Sequence, residues 1–393
     1  MMRTKLKVIL CLTATVIFLF CLSGTVFADD AAQELNDNIL ELLNGLDLSE
    51  LENYLHIDEN NFLYTFGSNA REIIEYFIHG NLSTDYAGYL NELLSVLFNQ
   101  VISFVPAFAQ VIALSILCAI VRSVEGSIMS RSTSKTICIA CYAVIITIVV
   151  SMLVGVMLSA KESIDCIKSQ VEIITPILVT LTVLTGGSSS GAIYQPSALF
   201  ISGGAIQIVS GIIFPVTVVI IVTNFISILS PGLSFSGTSK LLKSILKLVI
   251  GITLAVFSIF ITVQSTASSL FDGIFFKATQ YLVGNSVPIV GNFLSSGVDM
   301  VVAAGSLIRS SVGMLGIVLL IIEIAPPIIL LIAFSLMLKL VAAIVQPVGE
   351  NTLCALFTDL SSDTEYFIAG MCTVGFMYAL IVMLIISSAT NFL

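Results

Sequence analysis

The chain contains no tryptophan and only two histidines, and charged residues fill just 10% of its 393 positions. Each shortage excludes something. Without Trp, an aromatic belt at a membrane interface must be built from Tyr and Phe. His56 and His79 stand alone in the sequence, which reads as two surface residues rather than metal ligands. A soluble domain carries about a quarter charged residues. At 10% charged, 57% hydrophobic and a mean hydropathy of +1.07, this chain has more apolar surface than folding alone can hide from water. By composition it is a membrane protein. Bases are scarcer than acids, 15 against 25, and an acidic chain argues against nucleic acid as a partner.

Catalytic signatures are missing too. No Gly-Lys-Ser/Thr follows "GGSSSGAIYQP", so that stretch is no nucleotide-binding loop. There is no HExxH, and the serines have no histidine partner to activate them. No paired Asp or His/Glu cluster sits inside an apolar run. The reading is a non-enzyme with no catalytic residues, no cofactor site and no metal site, whose energy comes from a partner or a gradient. Eight cysteines are present, but Cys11 and Cys21 fall in the first apolar run, and Cys118, Cys138, Cys141 and Cys372 lie in or beside later ones. Only Cys166 and Cys354 are placed to face an oxidising side, and nothing brings them together. "CIAC" (138–141) has redox or metal spacing but no second CxxC and no nearby His, and it reads as small apolar filling.

What is present divides the chain in three. Residues 1–28 have a basic start, an apolar run from Val8 to Leu22, and small residues at Val26 and Ala28. That is a signal peptide cleaved after Ala28, the alternative being an uncleaved anchor. Residues 29–100 hold 14 Asp/Glu against Arg71 alone and read as an acidic, extracytoplasmic helical region. Leucines recur near helical spacing in "LNDNILELLNGLDLSELENYL", and Ser49-x-x-Glu52 fits a capping box. Residues 101–393 are a multispan transmembrane domain, all-α.

A spanning helix needs about 20 apolar residues. Clear candidates are Val101–Val121, Ile137–Ser159, Ile208–Leu229, Leu248–Thr266, Val302–Ile324, Pro327–Val345 and Phe367–Ser388. The 122–136 and 231–247 loops carry an excess of bases and read as cytoplasmic, while the base-free 346–366 loop reads as external. These sides agree only if an odd number of crossings lies between 160 and 231. Residues 173–206 then contribute zero or two, for a total of about 7–9 transmembrane helices. With zero, they form a re-entrant hairpin whose tip is Gly186, Gly187, Ser188, Ser189, Ser190 and Gly191; with two, that tip is an ordinary loop. Glycine permits close backbone approach and serine hydroxyls can bond freed carbonyls at membrane depth. "ITPILVT", "SVPIVGN" and "IAPPIIL" form a weak internal echo.

Ionisable residues inside apolar stretches each cost a few kcal/mol at the bilayer centre, roughly. Arg309, Glu323 and Lys339 are the candidates for an intramembrane polar pathway or a partner-helix contact, against simple snorkelling to the interfaces. Arg309 and Glu323 lie about 21 Å apart along one helix and cannot pair. A turn at Ala325-Pro326-Pro327 would allow Glu323 to pair with Lys339, the alternative being that both snorkel to the interfaces.

The order of signal-like start, acidic helical segment and multispan body, with "SAKESIDCIKS", "TPILVTLTVLTGGSSSGAIYQP" and "QPVGENTLCALFTDLSSD", resembles the stage III sporulation protein AE family of endospore-forming bacteria. The resemblance implies a place in the mother-cell membrane around the forespore. It implies partners as well: other stage III sporulation membrane proteins, a secretion-type ATPase and ring-forming proteins. Together these form a channel or feeding conduit needed for forespore integrity and late forespore gene expression. From the residues alone, an autonomous secondary transporter with a broken-helix site is the competing reading.

Overall fold

A computed structural model describes residues 38–55, 67–79, 86–125, 130–185, 200–229, 235–286, 291–348 and 351–387, with side chains over most of that length. The signal segment with Ala28, and the tip Gly186 to Gly191, lie outside the described residues. After a helical stretch at 38–45, the elements are α1 (Ser49–Leu55), α2 (Ala70–Ile78), α3 (Tyr86–Ser123) and α4 (Arg131–Leu184). Two π-wound turns, Phe200–Ala205 and Val209–Ile213, then lead into α5 (Phe214–Leu229). The chain ends with α6 (Ser236–Ser286), α7 (Gly291–Val345) and α8 (Asn351–Ser387).

Six of these helices, α3 to α8, are long and apolar enough to cross a membrane. The protein is an all-α, multi-pass membrane protein. The number of described spans is lower than the sequence suggested because α7 runs unbroken through Pro326 and Pro327. Val302–Ile324 and Pro327–Val345 are one helix, not two spans. Likewise, residues 173–184 are the last 12 of the 54 residues of α4, continuous through Pro176. The Pro-Ile echo therefore falls inside helices at two of its three places, with no break at either.

Adjacent helices run antiparallel, as cross-contacts fix. Cys118 of α3 meets Cys138 of α4, and nearer the turn Ser134 Oγ of α4 donates to Glu125 Oε2, just past α3, at 3.0 Å. Ser163 and Gln170 of α4 bond to the backbone of Glu323 and Gly316 on α7. Ser335 of α7 meets Ser361 of α8, and Phe214 of α5 stacks edge-on against Phe367 of α8, centroids 5.0 Å apart. Thr223 of α5 meets Ser239 of α6. It follows that the turns after α3, α5 and α7 all lie at one end of the bundle. The two basic turns share that end, as expected. The 346–366 segment does not lie opposite them. Only its first residues form a turn, and the rest is the start of α8, packed among α5, α6 and α7.

Helix length matters for where the membrane sits. At 1.5 Å per residue α4 is about 80 Å long, against roughly 30 Å of hydrocarbon. Residues 136–160 of α4 carry no charge and are long enough to cross by themselves; Lys161, Glu162, Asp165, Lys168 and Glu172 follow. Beside that charged stretch the acidic segment docks: α1 packs on α4 and α2 on α7. Leu51, Leu55, Ile73, Ile74 and Phe77 are buried there. Cys166, which α1 touches, is 35 residues from Arg131, about 50 Å up the helix from the basic turns.

Local caps explain where α1 and α2 begin. Asn69 accepts from the Glu72 N–H (3.0 Å), and the Glu72 carboxylate accepts from both the N–H and the hydroxyl of Ser68, each at 2.7 Å. The expected Ser49/Glu52 box is not made. Asp47 takes that role, accepting from Ser49 N–H (3.1 Å) and Oγ (2.6 Å). These hydrogen bonds favour the charged form and hold the Asp47 and Glu72 carboxyls below their ordinary values.

Candidate functional site

The polar residues inside the bundle form two junctions. The first joins α5, α6 and α8. Asp363 is fully buried, and its Oδ1 pairs with Lys243 Nζ at 2.6 Å. Asn224 Nδ2 donates to Asp363 Oδ2 at 2.7 Å. Ser239 Oγ in turn donates to Asn224 Oδ1 at 3.1 Å and lies 2.8 Å from Thr223 Oγ1. The chain of contacts gives the buried carboxylate a cation and a donor, as a charge away from water requires. It also ties the two helices of the α5–α6 hairpin to α8. Beside it opens a pocket of about 260 Å³, lined by Asn224, Ser227, Ser236, Ser239, Lys240, Lys243, Thr352 and Asp359 among others. Hydroxyls, one further ammonium and one further carboxylate thus meet at a surface that is otherwise apolar.

The second junction joins α4 and α7. Proline has no N–H, so Pro327 leaves the carbonyl of Glu323, four residues back, without its helical donor. Ser163 Oγ of α4 supplies one, at 2.8 Å. That contact satisfies the carbonyl that Pro327 frees, and α7 continues through both prolines as one helix. Two turns further along, the Gln170 amide donates to the Gly316 carbonyl at 3.1 Å. Gly316 is a close approach: a Cβ there would lie 2.9 Å from the buried hydroxyl of Tyr378 on α8. From α1, Tyr54 Oη donates to the Cys166 carbonyl at 3.4 Å. Burial, with the Glu323 charge adding to it, pushes the Tyr54 phenol well above its usual range, so it remains a donor at any physiological pH.

The three ionisable residues singled out by sequence go to three separate places. Arg309 is fully buried, and its Nη2 donates to the Ile386 carbonyl near the end of α8, 3.0 Å away. Glu323 is half-buried at the α4–α7 seam, hydrogen-bonded through its side chain to Cys166. Lys339 is exposed and pairs with Glu365 of α8 at 3.7 Å. The Glu323–Lys339 pair does not form. With no turn at the prolines, the two lie about 24 Å apart on one helix. They form no common pathway.

The α5–α6–α8 cluster was not anticipated. One signal was available: Asn224 interrupts "FPVTVVIIVTNFISIL", and an amide in such a run needs a partner. "CIAC" likewise gained a neighbour that spacing could not reveal, since Cys118 packs against Cys138 with each Sγ 3.9 Å from the other's carbonyl oxygen.

Comparison with known proteins matches residues 68–389 to a family model described as stage III sporulation protein AE. A curated relative, stage III sporulation protein AE of Bacillus subtilis (strain 168), is 26% identical over 312 residues, which is 79% of this chain and 78% of the relative. No solved structure matches.

Proposed function

The chain belongs to the stage III sporulation protein AE family, and from that premise we propose that it is a membrane component of a secretion-like channel complex between mother cell and forespore. In this reading it sits in the mother-cell membrane around the forespore. There it works with other stage III sporulation membrane proteins, a secretion-type ATPase and ring-forming proteins, and it supports forespore integrity and late forespore gene expression. The observation that carries the proposal is the extent of the match: residues 68–389 include all of α2 to α8. The physical reading is compatible with it. The bundle is multi-pass, its polar groups are spent on holding helices together, and its acidic helices dock far from the basic turns.

Deletion of the gene in the native host tests the proposal. Forespores are imaged after engulfment and heat-resistant spores are counted. Small or collapsing forespores and a loss of heat-resistant spores are expected. Normal spore yield would overturn it. Substrate flux by the purified protein alone in liposomes would instead favour the autonomous transporter.

A further inference from the structure

At the level where Ser335 meets Ser361, the outer surface changes chemistry from one helix to the next. Val105 of α3, Val154 of α4, Val222 of α5, and Ile332 and Leu336 of α7 are all turned outward there, between 39% and 47% exposed. Side chains of that kind suit acyl chains. The first half of α8 does the reverse. Leu353, Leu356, Phe357 and Leu360 point inward, while Asn351, Thr352, Thr358, Asp359 and Ser362 are exposed. A carboxylate against lipid tails costs a few kcal/mol, roughly. This face must be covered by something other than lipid.

The charges say what covers it. Lys240 and Asp359 line the same pocket, yet among the described residues the Lys240 ammonium and the Asp359 carboxylate have no partner. Lys243 is already committed to Asp363, one helical turn along from Asp359. The face thus offers one unsatisfied cation on α6 and one unsatisfied anion on α8 around a single pocket, which is self-complementary. We propose that a second copy of this chain covers the polar face of α8, with Lys240 of each copy meeting Asp359 of its neighbour. Reciprocal contacts of this sort are what a two-fold interface makes, and facing charges of opposite sign would set its register. The contact does not depend on what the protein carries or on its other partners.

Two differently tagged full-length copies, co-expressed and solubilised in mild detergent, report the contact through co-purification. Wild-type copies should co-purify. K240D alone and D359K alone each place like charges across the interface and should cut the yield by roughly tenfold or more. The double variant K240D/D359K should recover it. The deciding arm mixes a K240D copy with a D359K copy: both cross-pairs re-form, so the mixed complex should recover although neither variant associates with itself. A pair formed within one copy would be restored by the double variant and not by the mixture, and that result overturns the proposal. So does wild-type yield from both single variants, or failure of wild-type copies to co-purify.

Discussion

The two polar junctions inside the bundle solve different problems. Where α5, α6 and α8 meet, side chains carry full charge, and Asp363, Lys243 and Asn224 satisfy one another. Along the α4–α7 seam, Ser163 and Gln170 bond to backbone carbonyls of α7, one of which has lost its donor to a proline. Charge satisfied by charge is costly to break on one side only, because the survivor stays buried. A hydroxyl on a carbonyl costs less to lose, and only as much as the proline makes it needed. Mutations at the two junctions should therefore differ in size and in what rescues them.

The largest effect is expected at Asp363. Replacing its partner Lys243 by Met leaves the fully buried Asp363 carboxylate without its counter-ion, a loss of about 3–5 kcal/mol. Removing both charges together, Asp363→Leu with Lys243→Met, should cost much less than the single change. Unfolding in detergent, followed as a double-mutant cycle, measures the coupling. Equal losses for the single and double variants would mean the pair contributes nothing specific.

At the seam, Ser163→Ala should cost about 1–3 kcal/mol, the range for a buried acceptor left unmade. The sharper expectation concerns background. In a Pro327→Ala protein the Glu323 carbonyl regains its helical N–H, so Ser163→Ala should then cost clearly less. The same unfolding assay decides it, and an undiminished loss in that background would separate Ser163 from the proline.

These junctions also mark where sequence reading stopped working. Apolar runs gave the spanning helices, and basic turns gave the end they share, because both depend on local composition. Pro326-Pro327 was expected to be a turn, since proline ends an isolated helix. What offsets that preference at Pro327 is Ser163, 160 positions from the Glu323 carbonyl it bonds. Residues 346–366 read as external because their acids have no local base. The base is Lys243, brought in by the α5–α6 hairpin. Glu323 and Lys339 looked like partners only if the prolines turned the chain. In each case the residue types were visible and the contact that fixes their meaning was tertiary. Asn224 is the exception, an amide whose need for a partner was legible from its apolar neighbours alone.

The smallest effect belongs outside the bundle, where water weakens every charge. Glu72 is fully exposed, and hydrogen bonds from Ser68, the backbone N–H first and the hydroxyl second, hold its carboxyl below the ordinary value of 4.5. A carboxyl lowered on folding stabilises fully above its unfolded value and loses that contribution as pH falls through the folded one. The start of α2 should therefore loosen on acidification below about pH 4.5. Amide exchange in α2, corrected for the intrinsic rate at each pH, reports this directly. Glu72→Gln keeps an acceptor but has nothing to protonate, so its exchange should be flat over the same range. A variant that loosens with acid as the parent does would shift the cause to another group.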